Sequence, residues 1–106
     1  EAREIAEQDY DNAIVGGPFA LDNAVSARAA KLKGITDPAA GDADILVVPT
    51  IEAGNILFKA LVYMAGAETG GLVVGASAPV ILTSRADSAE ARIASCALAV
   101  LAANAA

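Results

Sequence analysis

The apolar residues of this chain fall into short continuous runs, and this pattern constrains its fold more than any other. The runs at residues 13–15, 45–48, 72–74 and 80–82 each end at a Gly, a Pro or a polar residue. Strands that are covered on both faces of a sheet are continuous in this way, whereas half-exposed strands alternate apolar and polar residues. Helical patterns separate most of the runs. We therefore predict an α/β fold, with a largely parallel sheet flanked by helices.

Four segments carry helical patterns, at residues 1–11, 22–33, 53 or 55 to 65, and 87–103. The last one starts with Asp87, Ser88 and then Glu90 three positions after Asp87, a spacing that predicts a capping box with Asp87 as the N-cap. The second one has Lys31 and Lys33 in its final turn and Gly34 just beyond it, which indicates a helix end. The predicted order of elements is α-β-α-β-α-β-β-α.

The composition excludes several classes of function. A net charge of −6 gives no basic surface for nucleic acid and disfavours an anionic membrane. The absence of His removes Ser-His-Asp catalysis and His-ligated metal sites. We assign no metal to Asp42 and Asp44 either, because Asp before a strand is usually a turn residue. The single Cys96 is expected to be a buried, inert thiol, and the lack of a disulfide is consistent with the cytoplasm.

Ligands of open α/β sheets bind beyond the carboxyl ends of strands. Three junctions meet this description, at residues 16–18, 49–55 and 83–85. The first is Gly-Gly-Pro without a phosphate-binding glycine pattern, so it needs no role beyond a tight turn.

The third junction combines the Ser84 hydroxyl with the Arg85 guanidinium just before a predicted helix. This combination suits a phosphate group or a developing oxyanion. An equally good alternative is that Arg85 pairs with Glu52 or Asp87 and joins two loops.

The second junction places Asn55 and Lys59 four residues apart, and therefore on one face of a helix. They could bind a phosphate group together. From these residues alone, the better interpretation is that Asn55 is an N-cap and Lys59 a solvated surface residue.

Three spaced motifs then occur in order: G-D-A-D at residues 41–44, E-A-G-N-x-x-x-K at 52–59 and S-R-A-D-S at 84–88. With them, residues 13–101 resemble the C-terminal part of the phosphate acetyl/butyryl transferases. The stretch GGPFALDNAVS at 16–26 is similar to the butyryltransferase branch. The resemblance implies a reaction that interconverts acyl-CoA plus phosphate with acyl phosphate plus CoA, without cofactor or metal.

The resemblance also implies a larger protein. Members of this family are two-domain α/β proteins related in fold to isocitrate and isopropylmalate dehydrogenases. They typically form homodimers or larger assemblies, and have their active site between the domains. This chain is much shorter, and its only Met is Met64. We expect residues 1–106 to be a C-terminal fragment that carries one wall of the cleft, lacks the N-terminal domain and is inactive alone.

Carried over to this sequence, the resemblance implies that Ser84 and Arg85 are catalytic. Gly54, Asn55 and Lys59 would bind substrate. Acetyl-transferring relatives have an acidic residue one turn into the last helix, where this chain has Ala91, so no general base is assigned. The alternatives to an acyltransferase are a catalytically silent module that binds CoA or phosphate, and a dimerisation module.

Overall fold

The computed structural model describes residues 1–105 and is a mixture of helices with a small sheet. The chain divides into two compact units, Glu1–Gly54 and Asn55–Ala106. The helices are α1 (Ala2–Ala6), α2 (Leu21–Val25), α3 (Ala27–Leu32), α4 (Ile51–Ala65) and α5 (Ala89–Asn104), and the strands are β1 (Leu72–Val73) and β2 (Val80–Ile81). None of the helices within residues 1–105 combines the length and the hydrophobicity needed to cross a membrane.

In the first unit, the predicted helix at residues 22–33 is divided in two at Ser26. This residue has an extended backbone, with φ −133° and ψ 107°. Its Oγ accepts a hydrogen bond from the Ala29 backbone N–H at 3.3 Å, so that Ser26 is the N-cap of α3. Serine is favoured at this position because it satisfies one of the free N–H groups of the first turn. The prediction of one continuous helix is therefore wrong.

A close backbone approach holds the two short helices against the following loop. The Ala43 N–H donates to the Ala24 carbonyl at 3.1 Å. Gly41 has a φ of +91°, and a Cβ atom there would lie 2.5 Å from the Ala27 Cα. Only glycine fits this turn. The small core of the unit lies at the same place, where Ala24 and Ala30 are buried.

Two predicted strands of the first unit, at residues 13–15 and 45–48, do not form. The chain there has no regular secondary structure, and the side chains of Ile14, Ile45 and Val47 are 72%, 81% and 79% exposed. A strand needs a hydrogen-bonded neighbour, and no described residue of the unit supplies one. The helix predicted at residues 1–11 is also shorter than expected, because α1 ends at Ala6.

In the second unit, β1 and β2 pair in the antiparallel direction, with Leu72 opposite Ile81 and Val73 opposite Val80. The largely parallel sheet predicted from the sequence is not found within residues 1–105. The physical reason is the length of the connection. Only six residues, 74–79, separate the two strands. A parallel crossover needs about a dozen or more, so this connection permits only a hairpin.

Helix α5 packs on both strands. The side chain of Ser95 is 1% exposed, and its hydroxyl lies between the helix and the start of β1. It donates to the Ala91 carbonyl at 2.7 Å and accepts from the Gly71 N–H at 2.9 Å. A Cβ atom on Gly71 would collide with the Leu82 carbonyl oxygen. A glycine is therefore required where the chain passes the residue that follows β2.

Cys96 is exposed, so the prediction of a buried thiol is wrong, although it does lie on the predicted helix. Successive residues of a helix point about 100° apart. Because Ser95 faces the sheet, the side chain of its neighbour points away from it.

Helix α4 begins at Ile51, a few residues before the predicted start. The Thr50 Oγ1 accepts a hydrogen bond from the Ala53 N–H at 3.2 Å, and the Thr50 carbonyl accepts from the Gly54 N–H at 3.0 Å. Its end at Ala65 is as predicted, and Gly66 follows with a φ of +68°.

Candidate active site

The strongest candidate site is the turn that joins β2 to α5. The Asp87 N–H donates to the Ser84 carbonyl at 3.1 Å, which closes a four-residue turn. Arg85 and Ala86 occupy its two central positions. Both residues are exposed.

Two further hydrogen bonds fix this turn. The Ser84 N–H donates to the Asp87 Oδ2 at 2.6 Å, and the Ala86 N–H donates to the Ser84 Oγ at 3.3 Å. Ser84 and Asp87 are both half-buried. A hydroxyl has one proton and two lone pairs, so Ser84 keeps its proton and one lone pair for another partner. The serine is therefore held in place but can still donate a hydrogen bond.

Arg85 is exposed and, within the described part of its unit, its side chain forms no hydrogen bond or ion pair. The carboxylate of Asp87, two residues away, is bonded to the Ser84 N–H instead. The alternative in which Arg85 pairs with Asp87 is thus not what the structure shows. All five guanidinium donors are available for an anion, which they can bind in a bidentate manner.

The start of α5 differs from the predicted capping box by one residue. Ser88 is the N-cap, and its Oγ accepts from the Ala91 N–H at 3.2 Å. The prediction of Asp87 as the cap is wrong, because its carboxylate is used inside the preceding turn. Hydrogen bonds from the Glu90 backbone N–H and from the Ser88 side chain lower the pKa of the Glu90 carboxyl group below its ordinary value of 4.5.

An open pocket of about 480 Å³ lies in the second unit, beside this turn. It is lined by the end of α4, by residues 67–69 and by the first turn of α5. Three carboxylates contribute to its wall, those of Glu68, Asp87 and Glu90, and no basic side chain of the described residues does. Its electrostatics therefore disfavour an anion. Ala91 also lines it, which is the position where the resemblance implies an acid in acetyl-transferring relatives.

The second motif lies on α4. Asn55 is the fifth residue of the helix, so the alternative in which it is an N-cap is wrong. Lys59 is half-buried rather than fully solvated. Its ammonium group is 5.4 Å from the centroid of the Tyr63 ring and 5.6 Å from that of the Phe58 ring. Cation–π attraction at these distances restrains the lysine side chain.

Gly54 lies one turn into the same helix, close to the preceding segment of the first unit. A Cβ atom on Gly54 would be 3.0 Å from the Val48 Cγ2. This approach accounts for the glycine by packing alone. Its role in substrate binding stays a prediction.

The structure thus brings Ser84 and Arg85 together in one turn, and places Asn55 and Lys59 on one helix. No hydrogen bond or ion pair joins these two groups within residues 55–105. No cluster of three or more His, Cys, Asp or Glu side chains in residues 1–105 is placed to hold a metal ion.

Two features of the site were missed from the sequence. Asp87 holds the Ser84–Arg85 turn, and Tyr63 lies against Lys59. Both could have been found from spacing. A Ser followed by an Asp three residues later is typical of a hydrogen-bonded turn, and residues four apart on a helix are neighbours.

Comparison with known proteins identifies the family to which this chain belongs. The family model described as phosphate acetyl/butaryl transferase matches residues 1–100. A probable phosphate butyryltransferase of Bacillus subtilis is 61% identical over 89 residues, which cover 84% of this chain and 30% of that protein. A phosphate acetyltransferase of Thermotoga maritima is 58% identical over 88 residues, which cover 83% of this chain and 30% of the relative.

A solved structure agrees with these relatives. The branched-chain phosphotransacylase from Enterococcus faecalis V583 matches with a TM-score of 0.82 and 46% identity, over 93% of this chain and 37% of that one. The chain therefore spans about a third of the length of the proteins that it matches. The relatives carry acetyl, butyryl and branched-chain names, and so do not separate one acyl group from another.

Proposed function

Because this chain belongs to the phosphate acetyl/butaryl transferase family, we propose that it forms one wall of the active site of a phosphate acyltransferase. The proposed reaction interconverts acyl-CoA and phosphate with acyl phosphate and CoA. The observation that carries the proposal is the Arg85 guanidinium, which is exposed and unpaired within the described part of its unit, on a turn that also holds the Ser84 hydroxyl.

The proposed reaction needs no covalent intermediate with the enzyme. It needs charged groups that are held in position next to the reacting atoms. A phosphate oxygen attacks the thioester carbonyl carbon, the carbonyl oxygen becomes an oxyanion, and the C–S bond then breaks to release the CoA thiolate, which takes up a proton. Arg85 can offer two parallel N–H donors to the phosphate or to the oxyanion. The free Ser84 proton can be donated to the same oxyanion or to the leaving sulfur. We assign no general base, and the proposed catalysis rests on positioning and electrostatic stabilisation by these two residues.

Gly54, Asn55 and Lys59 are proposed to bind substrate from α4. The ammonium group of Lys59, restrained by two aromatic rings, is a fixed positive charge on the same helix face as the Asn55 amide. Such a pair suits the phosphate groups of CoA or the attacking phosphate. No cofactor is needed, since both reactants are substrates.

We also propose that residues 1–106 are the C-terminal part of a two-domain protein of the isocitrate and isopropylmalate dehydrogenase type, which is cytoplasmic and forms a homodimer or larger assembly. The support comes from length and exposure. The chain spans about 30% of its curated relatives. The apolar runs at 13–15 and 45–48 are open to solvent, and strands of a largely parallel sheet in the complete protein would cover them. Residues 1–106 alone are expected to be inactive.

The test is phosphate-dependent release of the CoA thiol by the complete protein, with acetyl-CoA and butyryl-CoA compared. Arg85→Ala should lower kcat/KM by an amount equivalent to about 2–4 kcal/mol, as the loss of an oxyanion donor does. Arg92→Ala removes another exposed arginine, on α5, and is the matched control. Equal activity of wild type and Arg85→Ala would refute the role of Arg85. Robust turnover by residues 1–106 alone would refute the two-domain site.

The second candidate is a module that binds CoA or phosphate without turnover. Ala91 favours it, because this residue leaves the wall of the pocket without the acid that the resemblance implies there. Binding of CoA that is lost in Arg85→Ala, with no thiol release by the wild type, would select this candidate. Absence of CoA and phosphate binding by the wild type would exclude it and leave the dimerisation module.

A further inference from the structure

We propose that Asp87 is a positioning residue for the acyl transfer. It would hold the turn that presents Ser84 and Arg85, and would keep its own carboxylate away from the guanidinium. This inference rests on the proposed function, and concerns a residue that takes no part in the chemical steps given above.

The first argument is geometric. Asp87 closes the turn at both its backbone and its side chain, since its N–H donates to the Ser84 carbonyl at 3.1 Å and its Oδ2 accepts from the Ser84 N–H at 2.6 Å. Ser84 is thus held through both of its backbone polar groups by one residue. A hydrogen bond to a carboxylate is about twice as strong as one between neutral groups. The positions of the Ser84 hydroxyl and of the Arg85 backbone follow from this closure.

The second argument concerns charge. A carboxylate two residues from an arginine is an obvious ion-pair partner, and a paired Arg85 would have to break that pair before it could bind an anion. In the structure the Asp87 carboxylate is bonded to a backbone N–H, and the Arg85 guanidinium has no partner in the described part of the unit. The bond to Ser84 therefore keeps the cation available for substrate.

The third argument is that α5 does not need this carboxylate. Ser88 caps the helix, with its Oγ on the Ala91 N–H and its carbonyl on the Arg92 N–H. Asp87 is therefore not needed as a helix cap, because Ser88 has that role. What remains for the carboxylate is the turn itself, which consists of the two proposed catalytic residues and Ala86.

The test compares Asp87→Ala and Asp87→Asn in the complete enzyme. Alanine removes the acceptor for the Ser84 N–H, so kcat should fall about 10- to 100-fold, as displaced catalytic groups usually cause. Asparagine keeps an acceptor oxygen without the charge, and should restore most of kcat. Because it also removes a negative charge near the anion site, its KM for phosphate should be no higher than that of the wild type.

Two controls separate positioning from stability. Ser88→Ala removes the cap of the same helix, and should lower the melting temperature about as much as Asp87→Ala does but leave kcat nearly unchanged. In an enzyme that already carries Ser84→Ala and Arg85→Ala, the further change Asp87→Ala should have no effect on kcat, since it acts only through those residues.

The outcomes are distinct. Wild-type turnover that is lost in Arg85→Ala but unchanged in Asp87→Ala would overturn this inference and leave the proposed function standing. An equal loss of kcat in Ser88→Ala would overturn it too, because any loosening of the helix start would then suffice. A further fall of kcat when Asp87→Ala is added to the Ser84→Ala, Arg85→Ala enzyme would refute positioning, because Asp87 would then act without those two residues. Absence of turnover by the wild type would refute the proposed function, and this inference with it.

Discussion

The hydroxyl of Ser95 offers the sharpest test of how the second unit is held together. It is the only side-chain group shown to bond α5 to the strand region within residues 55–105, since it accepts from the Gly71 N–H at 2.9 Å and donates to the Ala91 carbonyl at 2.7 Å. The side chain is 1% exposed, so water cannot replace it. We expect Ser95→Ala to destabilise the protein through this one lost oxygen.

The magnitude follows from which groups lose a partner. The Ala91 carbonyl keeps its helical hydrogen bond, so only the Gly71 N–H is left without one. A buried polar group without a partner costs about 1–3 kcal/mol. Alanine is a better helix former than serine by about 0.5 kcal/mol, which offsets part of this loss. The net decrease in the free energy of unfolding should therefore be about 0.5–2.5 kcal/mol.

The assay is urea unfolding followed by circular dichroism, at equal protein concentration for all variants. Ser77→Ala is the matched control, since it makes the same chemical change at an exposed residue of the 74–79 connection and should stay within about 0.5 kcal/mol of the wild type. Hydrogen exchange of the Gly71 amide should also become faster in Ser95→Ala. Equal unfolding free energies for the two variants would refute the reasoning.

Two further predictions concern the hairpin and the first unit. Gly71→Ala places a Cβ atom against the Leu82 carbonyl oxygen, where neither backbone can retreat, and should cost about 1–3 kcal/mol in urea unfolding; a neutral effect would contradict this close approach. The hydrogen bond from Lys33, at 2.7 Å, lowers the pKa of Asp22 below its ordinary value of 3.8. A lowered pKa gives stability that is present above the unfolded pKa and is lost as the pH falls through the folded one. Lys33→Gln should therefore raise the pKa of Asp22, measured by carboxyl ¹³C NMR, and reduce the loss of stability in acid; an unchanged titration would refute the pairing.

Much of the local structure could be predicted because its causes are local. The end of α4 at Ala65 follows from the glycine after it, and the extent of α5 follows from its alanine-rich helical pattern. The family was also recognised correctly from three motifs in order, and the family match over residues 1–100 confirms it. The site residues at 84–85 and on α4 stay predictions, although the structure places the first pair on a well-defined turn.

Other predictions were wrong because they concern structure that a local sequence pattern does not determine. The runs at 13–15 and 45–48 have the composition of buried strands, but a strand exists only where another strand pairs with it. The direction of the β1–β2 pair was assigned from the fold class, whereas the short connection between them decides it. The second predicted helix is interrupted at Ser26 because the serine side chain bonds to a backbone N–H of the next turn. This bond starts a new helix at Ser26 and ends the preceding one.

The sequence by itself determined the family, the helices α4 and α5, and the identity of the residues at the β2–α5 junction, because these depend on residue order and short-range spacing. Only the tertiary structure decided which group each polar side chain bonds. Asp87 accepts from Ser84 rather than capping α5, and Cys96 is exposed because Ser95 faces the sheet. Several partners lie within reach of each such group along the chain. The choice among them depends on packing, which brings one partner to hydrogen-bonding distance and excludes water from it.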